Sequence, residues 1–418
     1  MNMPLNLALY LVGVGAMLVP FLPFSPMTID LVNLSRERQL AVYRKRHWFW
    51  AASALSFIAL ILAAWVGRDT SGAATWWWVI GISLAILSML YWSGYVPVVM
   101  TPPGTSQLLD ATAAERVASS SDVVLGLEIG GESRAYLRDQ IARPHYFRDV
   151  VGGKPVTVSY CILCNSATAF DSTLDGRVLD LKCVTAYNNN IIYADAATGN
   201  VIQQLDGRII DGPARGRALP MLPVTMSTWH EWTRLHPNTR LYYSPATTFR
   251  DRMVDWMLGW MIPIKKLAAR RTPWHRIRGM LDSRLPAMSF VLGVEVNDAR
   301  CAYPMTELQH QTVVNDELGG SPIAIFLDTS SDIAQVFSRQ LDLRSLSFLS
   351  GDGATFATDR ETGTTWNSSG AALEGPLAGR QLIPVPHFNR LFWFSWALFK
   401  SGTRIWSAAS RTPTTAAA

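Results

Sequence analysis

The run Val124-Leu-Gly-Leu-Glu128 recurs 167 residues later as Val291-Leu-Gly-Val-Glu295. At the same offset Ala135-Tyr136 meets Ala302-Tyr303, Asp149 meets Asp316, Gly152-Gly153 meets Gly319-Gly320 and Pro155 meets Pro322. That is 10 identities in 33 ungapped positions. Farther on, Asp195-x-x-Thr198-Gly199 answers to Asp359-x-x-Thr362-Gly363, and Gly212-Pro213-x-x-Gly216-Arg217-x-Leu219 to Gly375-Pro376-x-x-Gly379-Arg380-x-Leu382. Trp229 and Trp232 answer to Trp393 and Trp396. Anchors in one constant order are the mark of an internal repeat. They predict a unit written twice, over 123–242 and 290–406.

Each unit reads as β-rich. Val123–Ile129, Pro155–Tyr160 and Val291–Val296 are short β-branched runs bounded by Gly, Pro or Asp, the pattern of strands between turns. Gly-Gly-x-Pro is a turn that re-enters a sheet. Short helices are expected near 135–142 and 226–236, which makes the predicted unit α+β. The shared Gly, Asp and Thr positions are read as turn geometry, and Glu128 and Glu295, at one strand position in both units, as structural.

Outward from the repeats, the chain is more apolar than an average soluble protein. Of 418 residues 49% are hydrophobic and 17% charged, against about 25% charged in soluble chains. The excess collects at the start, where 4–24, 48–66 and 75–99 carry no charge. Each approaches the ~20 residues a helix needs to cross a bilayer. Trp48, Trp50, Trp65, Trp76–Trp78 and Trp92 gather at their ends, as interfacial rings do. The expected fold is therefore an N-terminal bundle of three transmembrane helices over 1–100 and a linker over 101–122. The first repeat follows over 123–248, an insertion over 249–289, the second repeat over 290–406 and a disordered tail over 407–418. Arg36, Arg38, Arg44, Lys45 and Arg46 place the 25–46 loop in the cytoplasm by the positive-inside rule. With three spans, the large domain lies on that same side of a cell (inner) membrane.

In the insertion Met253, Trp256, Met257, Trp260 and Met261 fall at i, i+3, i+4, i+7 and i+8, and Lys265, Lys266, Arg270 and Arg271 follow. An apolar helical stripe ending in basic residues suits a helix in the membrane interface; a helix packed across the two repeats fits the pattern equally. The basic excess, net +5 for the chain, is confined to this segment and the 25–46 loop. The remainder is mildly acidic, so a nucleic-acid partner is not expected. The expected partners are the lipid bilayer and other integral membrane proteins.

Tyr160-Cys161-Ile162-Leu163-Cys164-Asn165 is the one sharp chemical motif. Two thiols at this spacing make a local disulfide, a redox pair or half of a thiolate metal site. Asn165 stands where c-type haem needs His. Cys183 is available as a third thiolate, though no second CxxC accompanies it. The aligned stretch in the second unit is Asp328-Thr-Ser-Ser331, so that unit lacks the pair. No nucleotide-binding or hydrolase template occurs.

These motifs, with Asp-x-x-Gly-Gly-x-Pro-Val and Tyr-Cys-x-Leu-Cys-x-Ser-Ala, resemble the prokaryotic family called domain of unknown function 3179. Residues 123–242 carry the resemblance most fully, and 290–406 as a degenerate copy. The family's usual Pro after the first Cys is Ile162 here. The resemblance implies export for many relatives, which points to the other side of the membrane, and it implies no reaction. Two functions are expected. One is a non-catalytic membrane accessory or scaffold subunit docking to other membrane proteins through its helices and tandem domain. The other is a membrane-anchored metal-thiolate or thiol-redox protein using Cys161 and Cys164.

Overall fold

The computed structural model describes residues 15, 34–66, 73–261, 269–329, 333–351 and 355–408. Four helices lead, α1 (Arg36–Arg44), α2 (Arg46–Val66), α3 (Ala73–Gly94) and α4 (Val96–Val99), followed by β1 (Gln107–Leu109). A first half then runs β2 (Val123–Ile129), β3 (Glu132–Leu137), α5 (Arg138–Ile141), β4 (Tyr146–Val151), β5 (Lys154–Cys161) and β6 (Ser166–Asp171). It continues with β7 (Leu181–Tyr187), β8 (Asn190–Asp195), β9 (Val201–Gln203), β10 (Ile209–Asp211), β11 (Thr225–Thr228), α6 (Trp229–Leu235) and β12 (Arg240–Tyr243). After α7 (Phe249–Met261), the second half runs β13 (Phe290–Val296), β14 (Ala299–Pro304), α8 (Met305–Leu308), β15 (Val313–Leu318), β16 (Ser321–Asp328) and β17 (Ile333–Ser338). It ends with β18 (Phe348–Ser350), β19 (Ala357–Asp359), β20 (Thr365–Trp366), β21 (Ala372–Glu374), β22 (His387–Phe392), α9 (Trp393–Phe399) and β23 (Arg404–Ile405).

The sheets answer one another across the halves. The first half holds β1-β12-β3-β2-β11, the second β22-β13-β14-β23. Meanders β4-β5-β6 and β15-β16-β17 follow, then β7-β8-β9-β10 and β18-β19-β20-β21. Registers agree too: Leu125 faces Tyr136 and Gly126 faces Ala135, while Leu292 faces Tyr303 and Gly293 faces Ala302.

The packing explains the shared motif. A Cβ on Gly126 would overlap the Trp232 ring, and one on Gly293 the Trp396 ring. A large indole can close over each hairpin only where that strand residue has no side chain. The indole N–H of Trp232 donates to Thr239 Oγ1 and that of Trp396 to Thr403 Oγ1, both at 2.8 Å. Tyr136 donates its hydroxyl to Asp149 at 2.9 Å and Tyr303 to Asp316 at 2.7 Å. Asp195 accepts from the backbone N–H and hydroxyl of Thr198, and Asp359 from those of Thr362, closing the same turn.

The expected fold class is corrected. The chain is mostly β-sheet in many small sheets, because the helices predicted inside each unit are one- or two-turn caps, α5 and α6 in the first and α8 and α9 in the second. The N-terminal bundle of three transmembrane helices is withdrawn as well. Among the described residues no helix is long and apolar enough to cross a membrane. The 4–24 stretch lies outside the described residues apart from Gly15. The 75–99 run is broken at Tyr95, after which Val96, Val99 and Met100 turn inward and are buried in the main core. Part of the apolar excess therefore faces protein. The basic 25–46 loop ends in α1, which is docked on the sheet: Leu40 packs with Val184, Ile192, Ala194 and Val201, and the Gln39 amide donates to Thr185 Oγ1 at 2.7 Å. The stretch expected as a linker contains β1, whose Leu109 pairs with Leu241.

In α7 the buried side chain is Val254, while Trp256 is 73% exposed and Met253 half-buried. The side chains of Met257, Trp260 and Met261, and residues Lys265 and Lys266, lie outside what the structure describes. Arg270 and Arg271 are exposed. The segment after them is held on both halves. Asn189 exchanges two hydrogen bonds with the His275 backbone, and Arg284 donates to the Thr403 carbonyl.

Candidate functional site

Strand β5 ends at Cys161 and β6 begins at Ser166, pairing Cys161 with Ser166 across a tight turn. Asn165 takes the left-handed conformation that the turn needs, at φ 54°, a place where Asn is tolerated because its short amide bonds locally. Its side chain accepts from the Tyr160 hydroxyl and donates to the Arg390 carbonyl, both at 2.5 Å. The turn is thus clamped to the second half. There the Phe392 N–H also donates to the Cys164 carbonyl at 3.1 Å.

Both thiols are fully buried, and their surroundings differ. The Cys161 S–H donates to the Asn189 carbonyl at 3.3 Å. Burial, with Cys164 alongside, pushes the Cys161 thiol well up. Burial pushes Cys164 up as well, but the neighbouring Cys161 thiol, Ser166 hydroxyl, Asn190 amide and Ser395 hydroxyl outweigh it and hold Cys164 below its ordinary value. The Ser166 hydroxyl lies 3.0 Å from the Cys164 sulfur, and the Asn190 amide donates to that sulfur at 3.3 Å. The donors gathered on the Cys164 sulfur, against the single carbonyl that the Cys161 thiol meets, make Cys164 the better solvated of the two as a thiolate.

A buried polar network supports the Cys164 contacts. Gln204 Oε1 accepts from Ser166 at 2.9 Å and from Asn190 at 2.7 Å, and the Gln204 amide donates to Thr168 at 3.0 Å. Gln203 donates to Asn190 Oδ1 at 2.5 Å. The Ser166 proton can serve either Gln204 or the sulfur, so rotating one hydroxyl solvates a thiolate without moving backbone. Such a network costs free energy unless its groups are satisfied. The Ser395 hydroxyl, fully buried on α9, has no conventional partner beyond its approach to Cys164.

Cys183, the third expected thiolate, is on β7 opposite Tyr193 and is pushed up by burial alone. Among the described residues no group of three or more His, Cys, Asp or Glu side chains is placed to hold a metal ion. Cys301 is buried on β14, its thiol raised to about 12. The structure therefore brings Cys161 and Cys164 together, and the segment after α7 reaches them through Asn189, which accepts from the Cys161 thiol and bonds the His275 backbone. Sequence reasoning missed Ser166, Asn190, Gln204 and Ser395. Their signal was polar side chains at strand and helix positions that the pattern assigns to the core.

No curated protein and no solved structure matches the chain. A family model described as "Protein of unknown function (DUF3179)" matches residues 95–403, from the end of α3 to the start of β23. With three-quarters of its length matched, from the helical lead through both halves, the chain belongs to the DUF3179 family.

Proposed function

We propose that the chain is a thiol–disulfide redox protein whose centre is Cys161 and Cys164. The observation that carries this reading is the set of donors around Cys164, which outweighs complete burial and favours its thiolate. The Cys164 thiolate attacks one sulfur of a disulfide substrate, forming a mixed disulfide and releasing the other sulfur as thiolate. Cys161 loses its proton and displaces the second substrate sulfur, leaving the Cys161–Cys164 disulfide. Two electrons pass to the substrate, and the two protons end on its thiols. The seam formed by Arg390, Phe392 and Ser395 covers the pair, so exchange requires that seam to part. The second half, without cysteines at this position, is the degenerate copy of one duplicated unit and serves as the lid. In the test, the full chain is equilibrated with mixtures of reduced and oxidised dithiothreitol and its thiols are counted after denaturation. Two of four thiols are expected to disappear reversibly, and none in Cys164→Ser. Four thiols persisting under fully oxidised reagent would falsify the reading.

A second reading rests on a different surface. Trp48, Leu55, Ile58 and Leu62 on α2, Trp78, Ile82 and Leu84 on α3 and Trp256 on α7 are large and exposed. α2 lies against α3 and α3 against α7, and apolar surface gathered on neighbouring helices marks an interaction face. Exposed Arg252, Arg270 and Arg271 lie on α7 and its sequel. Apolar rings beside basic groups support docking against an anionic lipid bilayer and the integral proteins within it, at a cell membrane. Co-sedimentation with vesicles containing phosphatidylglycerol is expected, and equal recovery with neutral vesicles and with none counts against it.

A further inference from the structure

The two halves enclose a cleft of about 580 Å³, away from the thiol pair. Its first-half wall carries Glu128, at the end of the shared motif, with His236 and Arg234 from α6 and its C-cap. Its second-half wall carries Gln335 on β17, then Asn367, Ser369 and Gln381 from the segments around β21. The volume falls in the range of small-molecule sites.

Hydrogen-bonding capacity defines what fits. Arg234 is ion-paired with both carboxylate oxygens of Glu231 through Nε and Nη2, so its charge is already compensated before any anion arrives. Glu128 Oε2 stands 3.3 Å from His236 Nδ1 as an ion-pair contact, with its side chain half exposed; Oε1 remains an acceptor. The Gln335 amide makes no hydrogen bond among the described residues. Asn367 spends its oxygen on the Ser369 and Ala371 N–H groups, which leaves its two amide protons. Gln381 spends one amide proton on the Ser369 carbonyl, which leaves its oxygen. The cleft therefore offers donors and acceptors side by side on uncharged carboxamides, with a carboxylate opposite. The His236 ring lies against Trp232 with centroids 3.9 Å apart, so a flat face stands beside Glu128.

Hydroxyl groups donate and accept from one atom and answer such a wall with few unpaired groups. A sugar ring adds a C–H face that stacks on an aromatic plane. We propose that the cleft between the halves binds a neutral saccharide, with Glu128 and the carboxamides of Gln335 and Gln381 reading its hydroxyls and His236 carrying its apolar face.

Saturation-transfer NMR on the full chain tests the site, with maltose, cellobiose and N,N′-diacetylchitobiose as probes and glucosamine and glucuronate as charged comparators. At least one neutral disaccharide is expected to give saturable transfer. Q335A and Q381A each leave the fold intact, as thermal melting checks, and weaken binding about tenfold, the factor for one well-made hydrogen bond. No saturable transfer from any of the three overturns the proposal. So does unchanged affinity in both variants, which places binding elsewhere. Preference for glucosamine over every neutral probe also overturns it, since the Glu128 charge would then decide recognition.

Discussion

The two halves share a frame and differ in what that frame encloses. In the first half Ser159 bonds the Tyr193 hydroxyl at 2.5 Å, and Thr157, Ser166, Asn190 and Gln204 are all buried. At the corresponding strand positions of the second half Phe326 replaces Ser159, Ala324 replaces Thr157 and Ile333 replaces Ser166. Phe326 there packs against Phe337, Phe348 and Phe356. One cross-strand pair shows how volume is kept. Tyr193 faces Ile202 in the first half, and Ala357 faces Trp366 in the second, so large and small exchange sides. The frame survives either filling because Gly126 and Gly293, Trp232 and Trp396, and the two Asp–Thr turns make the same contacts in both halves. Apart from Ser395, the buried polar side chains around Cys164 lie in the first half.

If the frame is equivalent, mirror substitutions have equal effects. Trp232→Ala and Trp396→Ala are each expected to cost about 3–5 kcal/mol, the usual loss for a buried indole, measured by chemical denaturation. A difference of several kcal/mol between them breaks the equivalence and makes one half the dominant folding unit.

Acid separates the halves next. His145, buried in the first half, donates from Nδ1 toward the Tyr160 carbonyl at 3.2 Å, and burial lowers it to about 4. Its unfolded value is 6.5, so between the two the unfolded chain binds more protons and stability rises with pH. The contribution is fully present above pH 6.5 and is lost as pH falls toward 4, up to about 3 kcal/mol in all. His145→Asn keeps a residue that tolerates the positive φ of 79° and is expected to remove this share of the slope. His236 in the first half and His387 in the second are lowered by burial too and add to the slope. A slope unchanged in the variant means that His145 carries none of the acid response.

The shared glutamates give a smaller contrast. Glu295 pairs with Lys400, whose side chain is almost wholly buried, and with Arg300 at 2.8 Å. Glu128 faces only His236. Removing one partner strands a charge in proportion to its burial. Glu295→Gln is expected to cost about 2 kcal/mol and Glu128→Gln under about 1 kcal/mol. Equal losses in thermal melts mean that the first-half pair is as structural as the second.

Much of the frame was legible because repetition is a property of sequence. The run at 123–129 forms β2, and the short helices fall within their expected ranges, because Gly, Pro and alternating apolar residues act locally. The membrane spans expected at 48–66 and 75–99 are not found among the described residues for the opposite reason. An apolar run does not say what it faces, and Val96, Val99 and Met100 face a sheet contributed by residues some ninety positions onward. The Cys pair was legible from spacing. Its donors were not, since nothing local says that the side chain of Ser395, some 230 positions later, approaches Cys164.

That last contact is the smallest effect and the sharpest test of whether the halves act together. Ser395 belongs to the half without the thiol pair, yet its hydroxyl is one of the groups lowering Cys164. Ser166 and Asn190 lie in the first half and connect to Gln204, so they remain placed if the seam parts. Ser395 departs with α9. Closing the seam therefore favours the thiolate, and opening it withdraws one donor and raises Cys164. Ser395→Ala is expected to raise the midpoint of the pH–rate profile for Cys164 alkylation and to slow alkylation near neutral pH. Stability should change by no more than about 1 kcal/mol, since the hydroxyl has no other partner to strand. Ser395→Thr keeps the hydroxyl and should restore the profile. If alanine leaves the midpoint where it was, the first half tunes its thiol alone and the second half is only a cover.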